Sequence, residues 1–234
     1  MTILRNLSEA VNYCVLKVKN RQRVKVDSYD GQIKLNLGCG LAVQRTWINI
    51  DGSLNSLLAG LPSFLHPLAY RLSGARDYYS LSDYCGIMRN NKFVHHDLSK
   101  SVPFYDDTVD FIFTSHFLEH LFKKDAERFL SEAFRVLKPG GVIRLSVPDL
   151  NYAVGLYSQG NKSRMLNDYF FVDHNENYFS RHKYMYDFEL LSKLFEIAGF
   201  SNITRCNFHQ GTIPDIKALD NRPEDSLFLE ATKI

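Results

Sequence analysis

The chain has 234 residues, 45% of them hydrophobic and 23% charged, with a formal net charge of +2. That length and composition predict one soluble domain, and the near-balanced charge excludes the broad basic face of a dedicated nucleic-acid binder. The scattered cysteines Cys14, Cys39, Cys85 and Cys206 exclude a zinc ribbon or a disulfide scaffold and fit a reducing cytoplasm, and no run of about 18 apolar residues predicts a transmembrane segment.

Apolar residues at helical spacing (Leu4, Leu7, Val11, Val15, Val18) predict a leading helix over residues 4–18, with no apolar run of signal-peptide type. The basic cluster from Lys17 to Lys25 fits the solvated end of that helix. A first strand, Ile33 to Leu37, stops at Gly38-Cys39-Gly40, and a second, Trp47 to Ile50, stops at Asp51. Ser53 to Asn91 is a long insertion whose apolar residues predict one or two amphipathic helices, covering a core or docking a partner, a lipid-linked acceptor or a second subunit of a homo-oligomer. Phe93-Val94 leads into His95-His96-Asp97, and Val109 to Phe113 leads into Thr114-Ser115-His116.

Ala126, Phe129, Leu130, Ala133, Phe134 and Leu137 predict a helix stopped by Pro139-Gly140-Gly141, before a fifth strand from Val142 to Val147. The stretch from 151 to 186 is rich in aromatic residues, asparagine and histidine, and a connection of that length is expected to face a substrate. A helix over Phe188 to Ala198, closed by Gly199, precedes two strand-like runs, Asn202 to Phe208 and Leu227 to Ile234. The whole predicts an α/β domain over 1–234: a Rossmann-like, seven-stranded, mostly parallel sheet with an antiparallel C-terminal strand and helices on both faces.

The chemistry concentrates at strand ends. Gly38 and Gly40 let the backbone turn tightly and approach a ligand with no Cβ in the way. Asp51, at the end of the next strand, suits the two hydroxyls of a ribose, because charge-assisted hydrogen bonds are the stronger ones. Asp97 can meet an adenine amino group with Leu98 on the ring, or simply cap the next segment. Ser115 and His116 face the reacting end of such a ligand. Each feature alone has an ordinary structural explanation; their combination at successive strand ends is informative.

The motifs L-N-L-G-C-G (35–40), W-I-N-I-D (47–51), H-D-L (96–98), S-H-F-L-E-H-L (115–121) and R-V-L-K-P-G-G-V-I-R-L-S-V-P-D-L (135–150) resemble the class I S-adenosylmethionine-dependent methyltransferases, closely the type 11 group. The resemblance runs from about residue 33 to the C-terminus. It implies S-adenosylmethionine as cofactor, with Gly38, Cys39 and Gly40 at its amino-acid part, Asp51 at the ribose, Asp97 and Leu98 at the adenine, and Ser115 and His116 beside the sulfonium. The sequence departs from that pattern at Asn36, where an acid is common, and at Ala42, where a third glycine is usual. Only ten residues separate Gly40 from Asp51, so any helix between them must be short.

A hydroxyl acceptor benefits from a general base, for which His116, His174 and His182 are the candidates. Tyr178, Tyr184, Tyr186, Phe170, Phe171 and Phe179 can form an aromatic wall or pack on the sheet. The expected acceptor is a small molecule or saccharide methylated on oxygen, with no metal ligand set required. Two alternatives stay open: a non-catalytic binding protein on the same fold, and a zinc hydrolase reading of His116-Phe117-Leu118-Glu119-His120. That spelling, H-x-x-E-H, needs both histidines on one helical face and a third protein ligand. A nicotinamide oxidoreductase fits less well, lacking the third glycine and with Asp51 too early.

Overall fold

A computed structural model describes residues 11–18, 23–25, 30–171 and 181–234. Residues 11–18 are helical (α1); the first part of the predicted leading helix, 4–10, lies outside the described residues. The strands are β1 (Lys34–Leu37), β2 (Ile48–Asp51), β3 (Lys92–His95), β4 (Val109–Ser115), β5 (Leu137–Pro148), β6 (Ser201–Cys206) and β7 (Ser226–Thr232). They form one seven-stranded sheet in the order β3-β2-β1-β4-β5-β7-β6. Pairing is parallel from β3 through to β5, and β7 runs antiparallel to both β5 and β6. The order reverses between β1 and β4, and in an open α/β sheet ligands bind beyond the carboxyl ends of the strands at such a switch point. Gly38 and Ser115 stand there.

The two faces of the sheet carry different chemistry. On one, Leu35, Leu37, Ile48, Ile50, Ile112, Ile143 and Leu145 share a core with Phe129 and Leu130 of α5 (Lys123–Val136) and with Leu191 and Phe195 of α8 (Phe188–Ala198). Both helices follow directly from apolar residues at three- and four-residue spacing. Asp187 caps α8 by accepting from Leu190 N at 2.8 Å, and Gly199 ends it in the left-handed region at φ 100°.

On the opposite face, pairing lines up Asn49, Asn36, Phe113, Arg144 and Glu230 in one row across the strands. Each buried polar group in that row is matched. Asn36 Nδ2 donates to Asn49 Oδ1 at 3.0 Å and to the Ala42 carbonyl at 2.9 Å. The Arg144 guanidinium is fully buried and holds both oxygens of Asp220, at 2.8 and 2.7 Å, with Glu230 Oε1 at 3.2 Å. This network fastens the loop after β6, whose Ile213 and Leu219 pack on Trp47 and Phe113. It includes the short helix α9 (Ile216–Leu219).

Residues 41–47 contain no helix, so the short one expected after the glycine turn is replaced by a loop held by the Asn36–Asn49 pair. The insertion forms three helices rather than one or two: α2 (Leu54–Leu58), α3 (His66–Leu72) and α4 (Leu81–Asn90). They enclose a small core of Ala69, Ala75, Tyr84, Cys85 and Met88, against which Leu41 and Phe93 pack. The insertion thus packs against Phe93 of the edge strand β3 and against Leu41 of the loop that stands in place of the crossover helix. Beyond β5 come α6 (Leu150–Ser158), α7 (Lys162–Met165) and a wide helical turn over Leu166–Phe170. His174, Tyr178 and Phe179 fall outside the described residues.

Candidate functional site

The glycine turn is fixed by steric need. Gly38 has φ 69° and Gly40 φ 51°, both in the left-handed region that penalises a Cβ. A Cβ on Gly38 would stand 2.3 Å from Cγ of Phe117, so the loop after β4 closes directly onto the turn. A Cβ on Gly40 would meet nothing within 4 Å, so that side of the turn is open for a ligand to approach. The Gly38 N–H donates to the Ile50 carbonyl at 2.8 Å.

Asp51 braces the same corner. Its Oδ2 accepts from Gly40 N at 3.0 Å and its Oδ1 from Ser53 N at 2.6 Å. A carboxylate offers about four lone-pair positions, so a half-buried Asp51 that accepts two backbone N–H groups retains capacity for a pair of ribose hydroxyls. The open turn and this residual acceptor capacity fit the ribose and amino-acid parts of S-adenosylmethionine. Cys39 is buried, and burial followed by the charge of Asp51 pushes its thiol well up, which leaves it an inert packing group. Asp97 accepts from Ser99 N at 3.0 Å, ordering the turn after β3, while Leu98 is 3% exposed within the main core. The neighbouring His96 bonds Ser101 Oγ at 2.9 Å, and burial lowers its pKa.

At the end of β4 a second corner assembles. Ser115 Oγ donates to Asn221 Oδ1 at 3.1 Å and accepts from Ser146 Oγ at 2.8 Å. His116 has φ 50°, a strained conformation for a non-glycine residue of the kind that clusters at functional sites. Its Nε2 lies 2.8 Å from Ser226 Oγ, and the Arg222 guanidinium stands 3.3 Å from its Nδ1. Glu119 is fully buried, with one carboxylate oxygen 3.4 Å from His116 Nδ1 and 3.8 Å from His120 Nε2. Burial pushes the Glu119 carboxyl up, and the flanking histidines outweigh it and hold it below the usual range.

His182 arrives from the substrate-side segment, its ring 5.2 Å from that of His120. Its Nδ1 lies 2.7 Å from the Tyr169 carbonyl, and burial lowers its pKa. Backbone bonds from Lys183 N and Tyr184 N to the Glu119 carbonyl, at 2.7 and 3.3 Å, join the two segments. Of the aromatic residues expected to form a wall, Tyr186 is buried in the core with the Tyr184 ring tilted against it at 5.0 Å, whereas Phe171 is exposed. Only Leu118–His120 of the H-x-x-E-H stretch is helical, as a single tight turn. The helical face that the zinc-protease reading requires is therefore absent.

Two contributors went unrecognised in the sequence: Phe117, which sets the need for Gly38, and Asn49, the partner that gives Asn36 its purpose. The N-I-D run that holds Asn49 one strand over was the available signal. A cleft of about 430 Å³ beside β6 is lined by residues such as Thr204, Cys206 and Gln210 and by none of the glycine turn. It belongs to the far part of the sheet.

A seven-stranded sheet in this order, with a glycine turn and a strand-end carboxylate at its switch point, defines the class I methyltransferase fold. Residues 72–145 match a methyltransferase domain family model of type 11. The match starts after the glycine turn and Asp51, so the donor corner rests on geometry and motif. Over 56 residues the chain is 39% identical to a probable S-adenosylmethionine-dependent methyltransferase of Mycolicibacterium smegmatis, covering 24% of this chain and 21% of that protein. The match thus spans about a fifth of that relative's length.

Among solved structures, a possible histamine N-methyltransferase of Thermotoga maritima is similar at 14% identity and TM-score 0.47, covering 99% of this chain and 92% of that one. An Archaeoglobus fulgidus S-adenosylmethionine-dependent methyltransferase is similar at 17% identity and TM-score 0.47, covering 98% and 94%. Likeness of this degree carries no information about substrate.

Proposed function

We propose that the chain transfers the methyl group of S-adenosylmethionine to an oxygen of a small molecule or saccharide. The observation that carries the donor half is the Asp51 carboxylate, 3.0 Å from Gly40 N and beside the open side of the turn. Gly38, Cys39 and Gly40 would hold the amino-acid end, Asp51 the ribose and the Asp97 turn the adenine. The bound donor supplies a methyl group on a positively charged sulfur, so positioning does most of the catalytic work. In the step itself the acceptor hydroxyl loses its proton, its oxygen bonds the methyl carbon as the carbon–sulfur bond breaks, and that electron pair goes to sulfur.

The chain's own contribution is to orient the two reactants and to hold the departing proton. His116 and His182 flank the end of β4 and are the groups placed to take it. The balanced charge and polar histidine corner favour a small neutral acceptor over nucleic acid. The unpaired cysteines support a cytoplasmic setting, and among the described residues no helix is long and apolar enough to cross a membrane.

The test is to incubate the protein with methyl-labelled donor and separate panels of sugars, phenols and amines, locating the label by mass spectrometry. Label on oxygen, lost in His182→Ala, is the expected result; label on nitrogen alone contradicts the proposed acceptor.

A further inference from the structure

From the buried carboxylate and the histidines around it, we infer that Glu119, His120 and His182 form a binding site for a divalent transition-metal ion, zinc by choice of ligands. The ligand atoms of these three residues lie within 4.8 Å of one another. Two atoms each about 2.1 Å from a tetrahedral zinc ion stand about 3.4 Å apart, close to the 3.8 Å between His120 Nε2 and Glu119 Oε1. At 3.8 Å the pair is too long for a hydrogen bond.

The carboxylate supplies the second observation. Glu119 is fully buried, and among the described residues neither of its oxygens is hydrogen-bonded, with His116 Nδ1 standing 3.4 Å away. A buried ionised carboxylate without hydrogen bonds is costly, and a cation between it and the two imidazoles removes that cost. The histidines are also set for ligation. His120 Nδ1 lies 3.2 Å from the Arg181 carbonyl and His182 Nδ1 lies 2.7 Å from the Tyr169 carbonyl. A carbonyl only accepts, so Nδ1 carries the proton on each ring and Nε2 presents its lone pair. That arrangement, with the far nitrogen fixed by a backbone carbonyl, is how metal-bound histidines are oriented.

His116 stands outside the set despite completing the H-x-x-E-H spelling. Its Nδ1 lies 3.4 Å from the same Glu119 oxygen, but the Arg222 guanidinium stands 3.3 Å from that nitrogen and Ser226 Oγ takes its Nε2. Zinc also suits the ligand types, because two imidazoles and one carboxylate leave a position open for a further ligand. A cation here would occupy His182 Nε2 and leave the proton to His116 and, on the loop that closes onto the glycine turn, would lower the pKa of an acceptor hydroxyl that reached it. That last role rests on the methyl-transfer reading; the site itself does not.

The test uses the full chain, stripped with chelator and titrated with zinc by calorimetry and with cobalt(II) by its visible absorption, without donor or acceptor. The expected result is one equivalent bound, weakened at least about tenfold in His182→Ala and in Glu119→Gln, and little changed in His116→Gln. His182→Ala keeps the question open to disproof if Glu119→Gln fails to fold, because among the described residues the His182 side chain hydrogen-bonds a backbone carbonyl and no side chain. No binding by the folded wild-type protein overturns the site, as does binding that depends on His116 and not on His182. Because no donor is present, metal binding without any affinity for S-adenosylhomocysteine would overturn the methyl-transfer reading and leave the metal site standing.

Discussion

The glycine-turn corner and the histidine corner lie side by side at the carboxyl edge of the sheet, yet they are built in opposite ways. In the first, the hydrogen bonds that brace the turn are short in sequence: Gly40 to Asp51 spans 11 residues and Asn36 to Asn49 spans 13. In the second, His120 reaches Arg181 across 61 residues, Ser115 reaches Asn221 across 106 and His116 reaches Ser226 across 110. A corner made of local contacts survives as long as its two strands pair. A corner assembled from distant segments depends on everything that brings them together, and above all on the buried Arg144 network beside Asn221 and Arg222.

The strongest way to separate the two corners is therefore Arg144→Ala. Removing the guanidinium strands Asp220 and Glu230 without their cation, which costs about 3–5 kcal/mol. For a chain of this size that lowers the melting temperature by roughly 10 °C. Differential scanning calorimetry should show the loss, and hydrogen exchange should show it concentrated in the loop after β6 with β1 and β2 still protected. Uniform loss across both corners would contradict the division.

Gly38→Ala should break the local corner instead. The left-handed φ costs about 1–2 kcal/mol, and the new methyl group must displace Phe117, a strain of about 1–3 kcal/mol. Gly40→Ala carries only that conformational cost, about 1–2 kcal/mol, because its Cβ would meet open space. Chemical denaturation of the pair should rank them in that order. Equal effects would mean that Phe117 yields freely.

The smallest effect concerns pH. His96 is held neutral by burial, so its folded pKa lies below its unfolded value. The unfolded chain then binds more protons as pH falls below about 6.5. Stability from this group is present above that pH and is lost as the folded pKa is passed. Replacing His96 with Gln should flatten the acid limb of stability against pH below about 6.5. An unchanged slope would show that other groups set it.

The same contrast explains what the sequence disclosed. The glycine turn, Asp51, α5 and α8 were legible because periodicity, caps and strand-end residues are local signals; α8 runs over Phe188–Ala198 as its pattern predicts. The replacement of a helix by the loop at 41–47 was not legible, since it depends on Asn36 meeting Asn49 across the β1–β2 register. The H-x-x-E-H spelling suggested a helix that the chain does not form, because β4 runs on to Ser115 and His116 turns into the left-handed region. Its Glu119 and His120 instead meet His182, a partner that spacing alone does not reveal. Arg144 sat in view within a strand pattern, and only pairing with β7 shows that it faces Glu230.

The central claim is that the glycine turn and Asp51 hold S-adenosylmethionine. The most direct test is calorimetric titration of ligand-stripped protein with S-adenosylhomocysteine, alongside Asp51→Ala and Asp51→Asn. Charge-assisted hydrogen bonds contribute about 1.5–3 kcal/mol, so micromolar binding by the wild type should weaken by roughly 10- to 150-fold in Asp51→Ala, with Asp51→Asn between them. No binding by folded wild-type protein, or equal binding by all three, would contradict the account.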